Sequence, residues 1–320
     1  MIKSILKSFL ISIIILNNTV SAQCNLVNAG NDIVLPCAQP CTSLTATYLP
    51  VYQSSSYAVT SIPYIPYSYT AGTLFPIPID DKWSPIFNLP FIFCFYNQPF
   101  TQYVFSTNGI ISFNLTYANN FSPWAFIASI PTNAALFPRS MIGLFHDIDP
   151  SIGGTVRYGI QGTYPCRKLV LSFNNVPHYT CNTQKSTFQI VLHEITNIIE
   201  VFVERKQTCV IWNNGNACLG IQNNAGTLAA FPVGRNTSVY TINTAEAWRF
   251  SPNGPVVSSF SWYDMSNTLI STLPTINVCP QGSTSYIAQI SYNCSNTPVI
   301  MRDTITVTPL IAGNPIIYRD

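Results

Sequence analysis

Aspartates in residues 146–150 are the first side chains in this chain that suggest metal chemistry. In that run, His-Asp-Ile-Asp-Pro, Asp147 and Asp149 alternate onto one face of a strand end. Together with the adjacent Asp80 and Asp81 they supply carboxylate oxygens, the ligands that Ca²⁺ prefers. A structural interpretation is also open, in which Asp149 starts a turn and Asp147 hydrogen-bonds the backbone. The pattern therefore predicts a Ca²⁺ site at Asp147 and Asp149, or an ordinary turn.

Three glutamates, Glu194, Glu200 and Glu204, are the candidates for hydrolytic chemistry. A glycoside hydrolase needs two facing carboxyl groups in different environments, whereas we expect these strand-edge glutamates to be solvated. The three histidines are dispersed along the sequence, at His146, His178 and His193. Serine-hydrolase, zinc-protease, phosphate-loop and dinucleotide-binding motifs are all absent from the sequence. We therefore expect a protein that is not an enzyme, with a glycoside hydrolase as the weakest alternative.

Two tryptophans beside loops are candidates for ligand binding. Trp124 follows a proline, and Trp212 precedes Asn213 and Asn214 in an Asn/Gly-rich segment. Exposed aromatic rings stack on sugars and anchor protein partners, and asparagine amides can bond sugar hydroxyls. Burial in the core is the alternative for both tryptophans. The four residues therefore predict a carbohydrate-binding surface if the two rings are exposed.

Short strands and tight turns must position these residues, because they fill the chain between residues 83 and 250. Asn108 and Gly109 separate apolar residues 102–106 from 110–113, and an Asn-Gly pair is the strongest short signal for a β-hairpin. Further strands are predicted at residues 141–145, 155–160, 168–173, 187–193, 198–203, 217–222 and 247–250. The pattern predicts one large all-β sandwich over residues 82–252. Its predicted core is Phe91, Phe93, Val104, Ile111, Phe145, Leu169, Leu171, Ile190, Leu192, Val201 and Ile221.

Two further parts flank this sandwich. Residues 23–81 are rich in Pro, Ser, Thr and Tyr, which predicts an extended segment that packs along the main domain. Its stretch 57–69 is interpreted either as packing against the domain or as an aromatic ligand surface. After the turn-forming residues 252–255, residues 256–320 contain predicted strands around a buried Trp262. That last part predicts a second, smaller Ig-like β-sandwich.

The N-terminus has the pattern of a secretory signal peptide. Lys3 and Lys7 precede an apolar run at residues 9–16, and small residues precede a cleavage point after Ala22. The run is about half the ~20 residues needed to cross a bilayer, and polar residues or proline interrupt every later apolar segment. We therefore predict that residues 1–22 are removed on export and that the mature chain has no membrane span. A lipid anchor at Cys24 is the weaker alternative.

Ten cysteines, all after the predicted cleavage point, indicate disulfides in an oxidising compartment. The connectivity cannot be derived from the sequence, but short separations favour local pairs. The favoured pairs are Cys37–Cys41, Cys166–Cys181, Cys209–Cys218 and Cys279–Cys294, with Cys24–Cys94 remaining.

The composition gives little guidance on the partner. Only 8% of residues are charged, against about 25% in a typical globular protein. Two of the 14 basic residues lie in the signal peptide, so 12 basic residues balance 12 acidic ones in the mature chain. We therefore expect no nucleic-acid partner and no electrostatic attraction to a membrane.

Several sequence blocks resemble a known group of exported proteins. The blocks are residues 88–113 (NLPFIFCFYNQPFTQYVFSTNGIISF), 142–160, 188–206, 219–226 and 246–254. They look like the N-terminal region of Bacteroidetes surface proteins exported by the type IX secretion system. The central block also resembles the NIDO-type extracellular domain, and residues 257–309 are similar to the Ig/PKD-like repeats that follow it. Such proteins usually end in a gliding-motility-associated sorting domain, which these 320 residues lack, so a free secreted module and a fragment of an anchored protein both remain open.

The resemblance and the residues together predict a non-enzymatic secreted or cell-surface module of bacterial origin, adhesin-like or structural. Its partners would be protein or glycan surface ligands, or further copies of itself. A carbohydrate-binding module that uses exposed aromatic rings is the alternative. No cofactor is expected, apart from the possible Ca²⁺.

Overall fold

The computed structural model describes residues 26–310, except for residues 38, 77–78, 126–127, 134–138 and 295. This part consists of β-strands and two single-turn 3₁₀ helices, Leu115–Tyr117 and Asn213–Gly215, which confirms the all-β prediction. Among the described residues, no helix has the length and apolar character needed to cross a membrane. The predicted signal peptide, residues 1–22, lies outside the described residues, as does Cys24.

The strands are numbered in chain order. The first six are β1 (Val27–Asn28), β2 (Ile33–Leu35), β3 (Thr42–Thr45), β4 (Thr47–Tyr48), β5 (Tyr57–Ile62) and β6 (Thr73–Leu74). The next twelve are β7 (Phe87–Phe95), β8 (Gln98–Ser106), β9 (Ile110–Ser112), β10 (Ser140–Phe145), β11 (Thr155–Gln161), β12 (Lys168–His178), β13 (Cys181–His193), β14 (Ile199–Lys206), β15 (Asn216–Gln222), β16 (Ala229–Ala230), β17 (Ser238–Val239) and β18 (Glu246–Pro252). The last five are β19 (Ser259–Tyr263), β20 (Leu269–Ser271), β21 (Thr275–Val278), β22 (Thr284–Cys294) and β23 (Thr297–Pro309).

Two antiparallel sheets form the main sandwich. One runs β16-β15-β10-β9-β8-β7, with β17 also paired to β15, and the other runs β5-β18-β14-β13-β12-β11-β6. The core between them is rich in phenylalanine, and its fully buried rings include Phe93, Phe95, Phe105, Phe173, Phe188 and Phe250. Successive strand residues point to opposite faces, so the apolar alternation read from the sequence places these rings inside.

All the residues predicted for the core of the main sandwich are buried. Nine of them belong to the core between the two sheets, whereas Val104 and Phe145 belong to a separate cluster around Trp83. Val104 neighbours Phe105 in the same strand and therefore points to the opposite face of its sheet. A second, smaller apolar cluster thus lies on the outer face of this sheet.

The predicted hairpin is confirmed. Strands β8 and β9 pair through Phe105 with Ile111 and through Ser106 with Ile110, so residues 107–109 form the loop. Gly109 has a φ of +86°, a conformation that L side chains rarely adopt. The glycine of the Asn-Gly pair therefore lies at the position of the loop where the backbone conformation favours a residue without a side chain.

A smaller sandwich combines both ends of the described chain. One sheet runs β2-β23-β22-β19-β20, and β3 pairs with β21 in a second sheet. Trp262 is fully buried, and its indole N–H donates to the Pro274 carbonyl at 3.0 Å. Leu26, Leu35 and other residues of the N-terminal strands belong to the same core. The prediction that residues 23–81 pack along the main domain is therefore wrong for β1 to β4, because these strands close the apolar core of the small sandwich.

The later part of that segment does lie on the main sandwich. Strands β5 and β6 pair with β18 and β11 at the two edges of one sheet. Between them, Tyr64 packs edge-on against Phe202 with ring centroids 6.2 Å apart. The backbone of Tyr67 exchanges two hydrogen bonds with the amide of Gln189, each 2.9 Å long. Of the two interpretations of residues 57–69, the structure therefore supports packing against the domain.

The predicted cysteine pairs are wrong, because the bridges join segments that are distant in sequence. The observed disulfides are Cys41–Cys279, Cys94–Cys294 and Cys181–Cys209. They exclude the pairs Cys37–Cys41, Cys166–Cys181, Cys209–Cys218, Cys279–Cys294 and Cys24–Cys94. Cys37 and Cys218 are free, and Cys166 is disulfide-bonded. Two bridges follow from the fold, since Cys41–Cys279 joins the paired strands β3 and β21, and Cys94–Cys294 joins the two sandwiches.

The small sandwich contacts the main one through neighbouring strand connections at one end. Besides the Cys94–Cys294 bridge, the Tyr292 hydroxyl donates to the Ile195 carbonyl at 3.0 Å. Asn197 lies at the junction, where its Oδ1 accepts from the backbone N–H of Cys94 at 2.7 Å and its Nδ2 donates to the Tyr292 hydroxyl of the small sandwich at 3.4 Å. Residues 195–197 connect β13 to β14, and Cys94 lies near the β7–β8 turn. The opposite end of the main sandwich therefore lies away from the small sandwich.

Candidate functional site

The far end of the main sandwich gathers the side chains that the sequence marks as candidates. We call this surface the loop end and define it as residues 79–84, 107–109, 119–125, 146–154, 179–180 and 207–215. Strands β8, β10, β12 and β14 finish here, and β9, β13 and β15 begin here. Antiparallel pairing thus brings together residues from six separate stretches of sequence.

Three aspartates meet at the loop end. One carboxylate oxygen from each of Asp80, Asp81 and Asp147 lies within 4.8 Å of the other two. Asp147 is buried, with only 7% of its surface exposed. The Oδ1 atoms of Asp80 and Asp147 are buried and have no hydrogen-bond partner in the described part of the chain. These three residues are therefore the ones in the described chain that could hold a metal ion.

Asn108 of the hairpin loop holds two of the aspartate segments in place. Its Nδ2 donates to Asp81 Oδ1 at 2.7 Å, and its Oδ1 accepts from the backbone N–H of Ile148 at 3.2 Å. The backbone carbonyl of Asp81 also accepts from the N–H of Ser122 at 2.8 Å. The β8–β9 hairpin thus fixes the distance between the Asp81 loop and the Asp147 loop.

Burial and mutual repulsion make these carboxylates difficult to ionise. Burial and then the neighbouring Asp81 raise the pKa of Asp80 to about 7. Burial, followed by the charges of Asp81 and Asp80, raises the pKa of Asp147 to about 7. Burial also raises the pKa of Asp81, and the hydrogen bond from Asn108 offsets part of this rise. No ion pair of the described residues involves these aspartates, so their negative charge is not balanced by a neighbouring Lys or Arg.

Asp149 has a different role from the one predicted for it beside Asp147. Its Oδ1 accepts from the backbone N–H of Ser151 at 2.8 Å and from the Ser151 hydroxyl at 2.5 Å. That pattern is a turn stabilised by an aspartate side chain. The turn interpretation therefore applies to Asp149, whereas Asp147 lies with Asp80 and Asp81.

Two of the histidines that looked dispersed are in contact, so that expectation is wrong for His146 and His178. Their Nε2 atoms are 3.2 Å apart, and each lies near the Ser186 hydroxyl, at 2.9 and 3.1 Å. Burial, then His178 and Lys206, lowers the pKa of His146 well below its usual value. Burial and Lys206 lower the pKa of His178 to about 3. Both rings are therefore neutral at physiological pH and share the hydroxyl of Ser186.

Lys206 contributes a buried positive charge next to these rings. It is 1% exposed, and its Nζ donates to the Tyr240 carbonyl at 2.6 Å. Burial and then Arg235 lower the pKa of Lys206 to about 8. Lys206 lines a small cleft together with His146, His178, Asp147 and Trp212. Asp147 thus belongs both to the carboxylate group and to the wall of this cleft.

The predicted ligand-binding tryptophans lie together, and Trp212 is part of the cleft lining. Trp124 and Trp212 pack edge to face with ring centroids 4.9 Å apart, and the Tyr179 ring lies 5.6 Å from Trp212. The Trp212 indole N–H donates to the Thr180 hydroxyl at 2.9 Å, and Asn213 Nδ2 donates to the Trp124 carbonyl at 2.8 Å. Both tryptophans are half-buried. They are neither core residues nor fully exposed platforms.

Asn214 is the exposed member of the predicted set. It has a φ of +53° within the short 3₁₀ helix, a conformation that asparagine tolerates better than most residues. Asn213, in contrast, bonds the Trp124 backbone. The structure therefore leaves Asn214 available to a ligand and gives Asn213 a part in holding the two loops together.

The glutamates considered for hydrolysis are mostly ion-paired, so the expectation of solvated carboxylates is wrong for two of them. Glu194 and Glu200 are each 5% exposed, whereas Glu204 is exposed. Glu194 pairs with Arg167 through two hydrogen bonds of 2.8 and 2.5 Å. The arginine partners are distant in sequence from the glutamates, so no local sequence pattern indicates these ion pairs.

Glu200 is held as an anion by two partners. Its Oε2 accepts from His193 at 2.8 Å, and its Oε1 accepts from Arg249 at 2.8 and 2.6 Å. Burial alone would raise the pKa of Glu200, but His193 and Arg249 outweigh it and lower the pKa to about 2. A carboxyl group in this state cannot act as the general acid that a glycoside hydrolase needs.

Fold and site together define a disulfide-bridged protein of two β-sandwiches, with a polar and aromatic loop end. The chain belongs to the NIDO-related family, since the family model described as NIDO related matches residues 55–261, more than half of the chain. The match includes every strand from β5 to β18 and so spans the whole main sandwich. The NIDO-like part of the resemblance is thereby confirmed. Neither a curated protein nor a solved structure matches the chain.

Proposed function

We propose that this protein is a non-enzymatic, exported, adhesin-like module that binds its partner through the loop end. The observation that carries the proposal is the placement of the half-buried Trp124 and Trp212 at the end of the main sandwich away from the small one. A small sandwich fixed to one end by a disulfide and by buried hydrogen bonds acts as a base. The loops of the other end then face the partner.

Exposed apolar side chains beside the tryptophans support a binding role. Phe121, Val210 and Ile211 belong to the same loops and are 63%, 67% and 64% exposed. Aromatic and aliphatic residues that are held in place and partly exposed lose little entropy when a partner covers them. The low charge of the chain removes most of the long-range repulsion between this surface and a partner.

Export and attachment to a bacterial surface are part of the proposal. The three disulfides that join described cysteines are compatible with an oxidising, extracellular location. The signal-peptide pattern of residues 1–22 and the resemblance to type IX secretion-associated surface proteins support the same location. The small sandwich would then be an Ig/PKD-like spacer, and the association with gliding motility would follow from the same group of proteins.

A carbohydrate ligand is the second candidate, and one observation favours it. Trp212 packs against Trp124 at the surface, and the exposed Asn214 follows in the same loop. An aromatic ring next to an exposed amide group is a combination that binds a sugar ring and its hydroxyls. In that case the adhesin-like module would recognise the glycan part of a surface.

Binding of the purified chain to immobilised ligands tests the proposal. The wild-type protein is applied to a glycan array and to coated extracellular glycoproteins, before and after enzymatic removal of their glycans. We expect the Trp212→Ala variant to lose at least about tenfold in affinity, as for an interface hot spot. Leu273→Ala, which removes a 67% exposed residue of the small sandwich, is expected to bind like the wild type.

The melting temperature of each variant serves as the folding control. Signal on the array and loss on deglycosylation identify a glycan ligand, whereas binding that survives deglycosylation identifies a protein ligand. Equal binding by Trp212→Ala and the wild type, or no binding by the wild type to any surface, would contradict the proposed function.

A further inference from the structure

The carboxylate of Asp147 is buried at the loop end without a hydrogen-bond partner for its Oδ1 among the described residues. Asp147 is only 7% exposed. Asp80 adds a second buried carboxylate oxygen without a partner. Leaving a charged oxygen buried and unpaired is costly, so buried carboxylates are normally hydrogen-bonded, ion-paired or bound to a metal. The first two kinds of partner are missing for these two atoms.

The distances match those of a metal-binding group. Oxygen ligands of Ca²⁺ lie about 2.3–2.6 Å from the ion, so two ligands of one ion are at most about 5 Å apart. Oxygens of Asp80, Asp81 and Asp147 meet this limit, since each lies within 4.8 Å of the others. The donors are all oxygen, which favours a hard cation over zinc or copper.

We propose that Asp80, Asp81 and Asp147 form a binding site for one divalent cation, and that this cation is Ca²⁺. Mg²⁺ requires nearly ideal octahedral geometry, whereas Ca²⁺ accepts irregular sets of carboxylate ligands such as two consecutive aspartates and one from a distant loop. Asp149, which also raises the pKa of Asp80 and Asp147, adds to the negative charge around the ion.

No ion pair of the described residues involves the three aspartates, and the Nζ of Lys206, which lines the cleft beside Asp147, donates to the Tyr240 carbonyl at 2.6 Å. Lys82 follows Asp81 directly, but its Nζ donates to the Asn119 carbonyl at 2.5 Å. The ion pairs of the described residues involve Glu194, Glu200 and Glu246. Bound Ca²⁺ would join residues 80–81 to Asp147 and so add a second link between loops that Asn108 already connects. The site stands independently of whether the loop end binds an adhesion partner.

Calorimetric titration of the full mature chain with CaCl₂, after treatment with a chelator, tests the proposal. We expect one Ca²⁺ per chain, with a Kd of about 10⁻⁴ to 10⁻³ M, as in other extracellular modules. At about ten times the Kd, Ca²⁺ is expected to raise Tm by about 3 °C. MgCl₂ at the same concentration is expected to give a clearly smaller shift.

Three matched Asp→Asn variants separate a metal site from a structural role. Asp147→Asn and Asp80→Asn are expected to weaken Ca²⁺ binding by at least about tenfold. Without Ca²⁺ they are expected to melt no lower than the wild type, because each removes a repelling charge. Asp264→Asn, a substitution in an exposed turn of the small sandwich, keeps an oxygen acceptor and is expected to bind Ca²⁺ normally.

Each alternative outcome overturns the proposal. No heat and no Tm shift in the wild type up to about 10 mM CaCl₂ would exclude an extracellular-type site. Unchanged Ca²⁺ binding by both Asp147→Asn and Asp80→Asn would place any bound ion elsewhere. Equal stabilisation by MgCl₂ and CaCl₂ would indicate general screening of charge instead of a Ca²⁺ site.

Discussion

Gly109→Ala is expected to lower the free energy of unfolding by about 3 kcal/mol or more. Gly109 has a φ of +86°, and a Cβ there would lie 2.7 Å from the Leu144 carbonyl oxygen and 2.8 Å from Phe188 Cζ. The first of these atoms is backbone and the second belongs to a fully buried ring, so neither can move cheaply. The loop would have to shift, and Asn108 would lose its bonds to Asp81 and Ile148.

Gly234→Ala is the matched control for this prediction. Gly234 also has a positive φ, +72°, but no atom lies within 4 Å of the position of its Cβ. We expect it to cost only about 1–2 kcal/mol, the penalty for left-handed backbone alone. Urea unfolding of both variants measures the difference. Equal costs would mean that the close approach of Leu144 and Phe188 does not constrain the hairpin.

Removal of the Cys94–Cys294 bridge is expected to have an effect of similar size. The bridge joins cysteines 200 residues apart in sequence. With Cys41–Cys279 intact, the shortest loop that it closes is about 70 residues, for which the chain-entropy model gives about 4 kcal/mol, and measured values for native disulfides are typically about 2–5 kcal/mol. The paired substitution Cys94→Ala and Cys294→Ala tests this by urea unfolding, and alanine leaves no buried hydroxyl.

The Cys181–Cys209 bridge provides the comparison. Its sequence separation is 28 residues, and it lies within the main sandwich. Its paired alanine variant is expected to lose about 1 kcal/mol less than the Cys94/Cys294 variant, because a shorter loop restricts the unfolded chain less. A larger loss from the Cys181/Cys209 variant would contradict the view that the bridge between the sandwiches contributes most.

The main sandwich could be predicted from the sequence because its signals are local. Alternating apolar residues and an Asn-Gly pair depend only on neighbouring positions. The hairpin at Gly109 and the buried positions Phe93 and Ile190 follow from such patterns. The all-β class can be predicted from the same local patterns.

The small sandwich and the disulfides could not be predicted, because they depend on contacts between the two ends of the chain. Strands β2 and β3 pair with β23 and β21, more than 200 residues away in sequence. Nothing in residues 27–48 indicates that they complete a C-terminal domain. Once they do, Cys41 must lie beside Cys279, and the local pairs assumed from sequence spacing are excluded.

The candidate site was predicted in part. The sequence indicates Asp147 and the pair Asp80–Asp81 as oxygen ligands, and the strand topology brings them together. The turn at Asp149 and the contact between His146 and His178 depend on side-chain directions at strand ends. A usable signal for the histidines exists, since each follows or ends a strand that finishes at the loop end.

Hydroxyl-radical footprinting of the protein, free and bound to a ligand-coated surface, shows which part of the protein the partner covers. Tryptophan, tyrosine and methionine react readily with the radical, and such residues lie both at the loop end and in the small sandwich. We expect a bound partner to protect Trp124, Trp212 and Tyr179, while Met265 of the small sandwich, 63% exposed, reacts as in the free protein. Protection of Met265 with unchanged reaction of the three loop-end rings would show that the partner binds the small sandwich, and would contradict binding through the loop end.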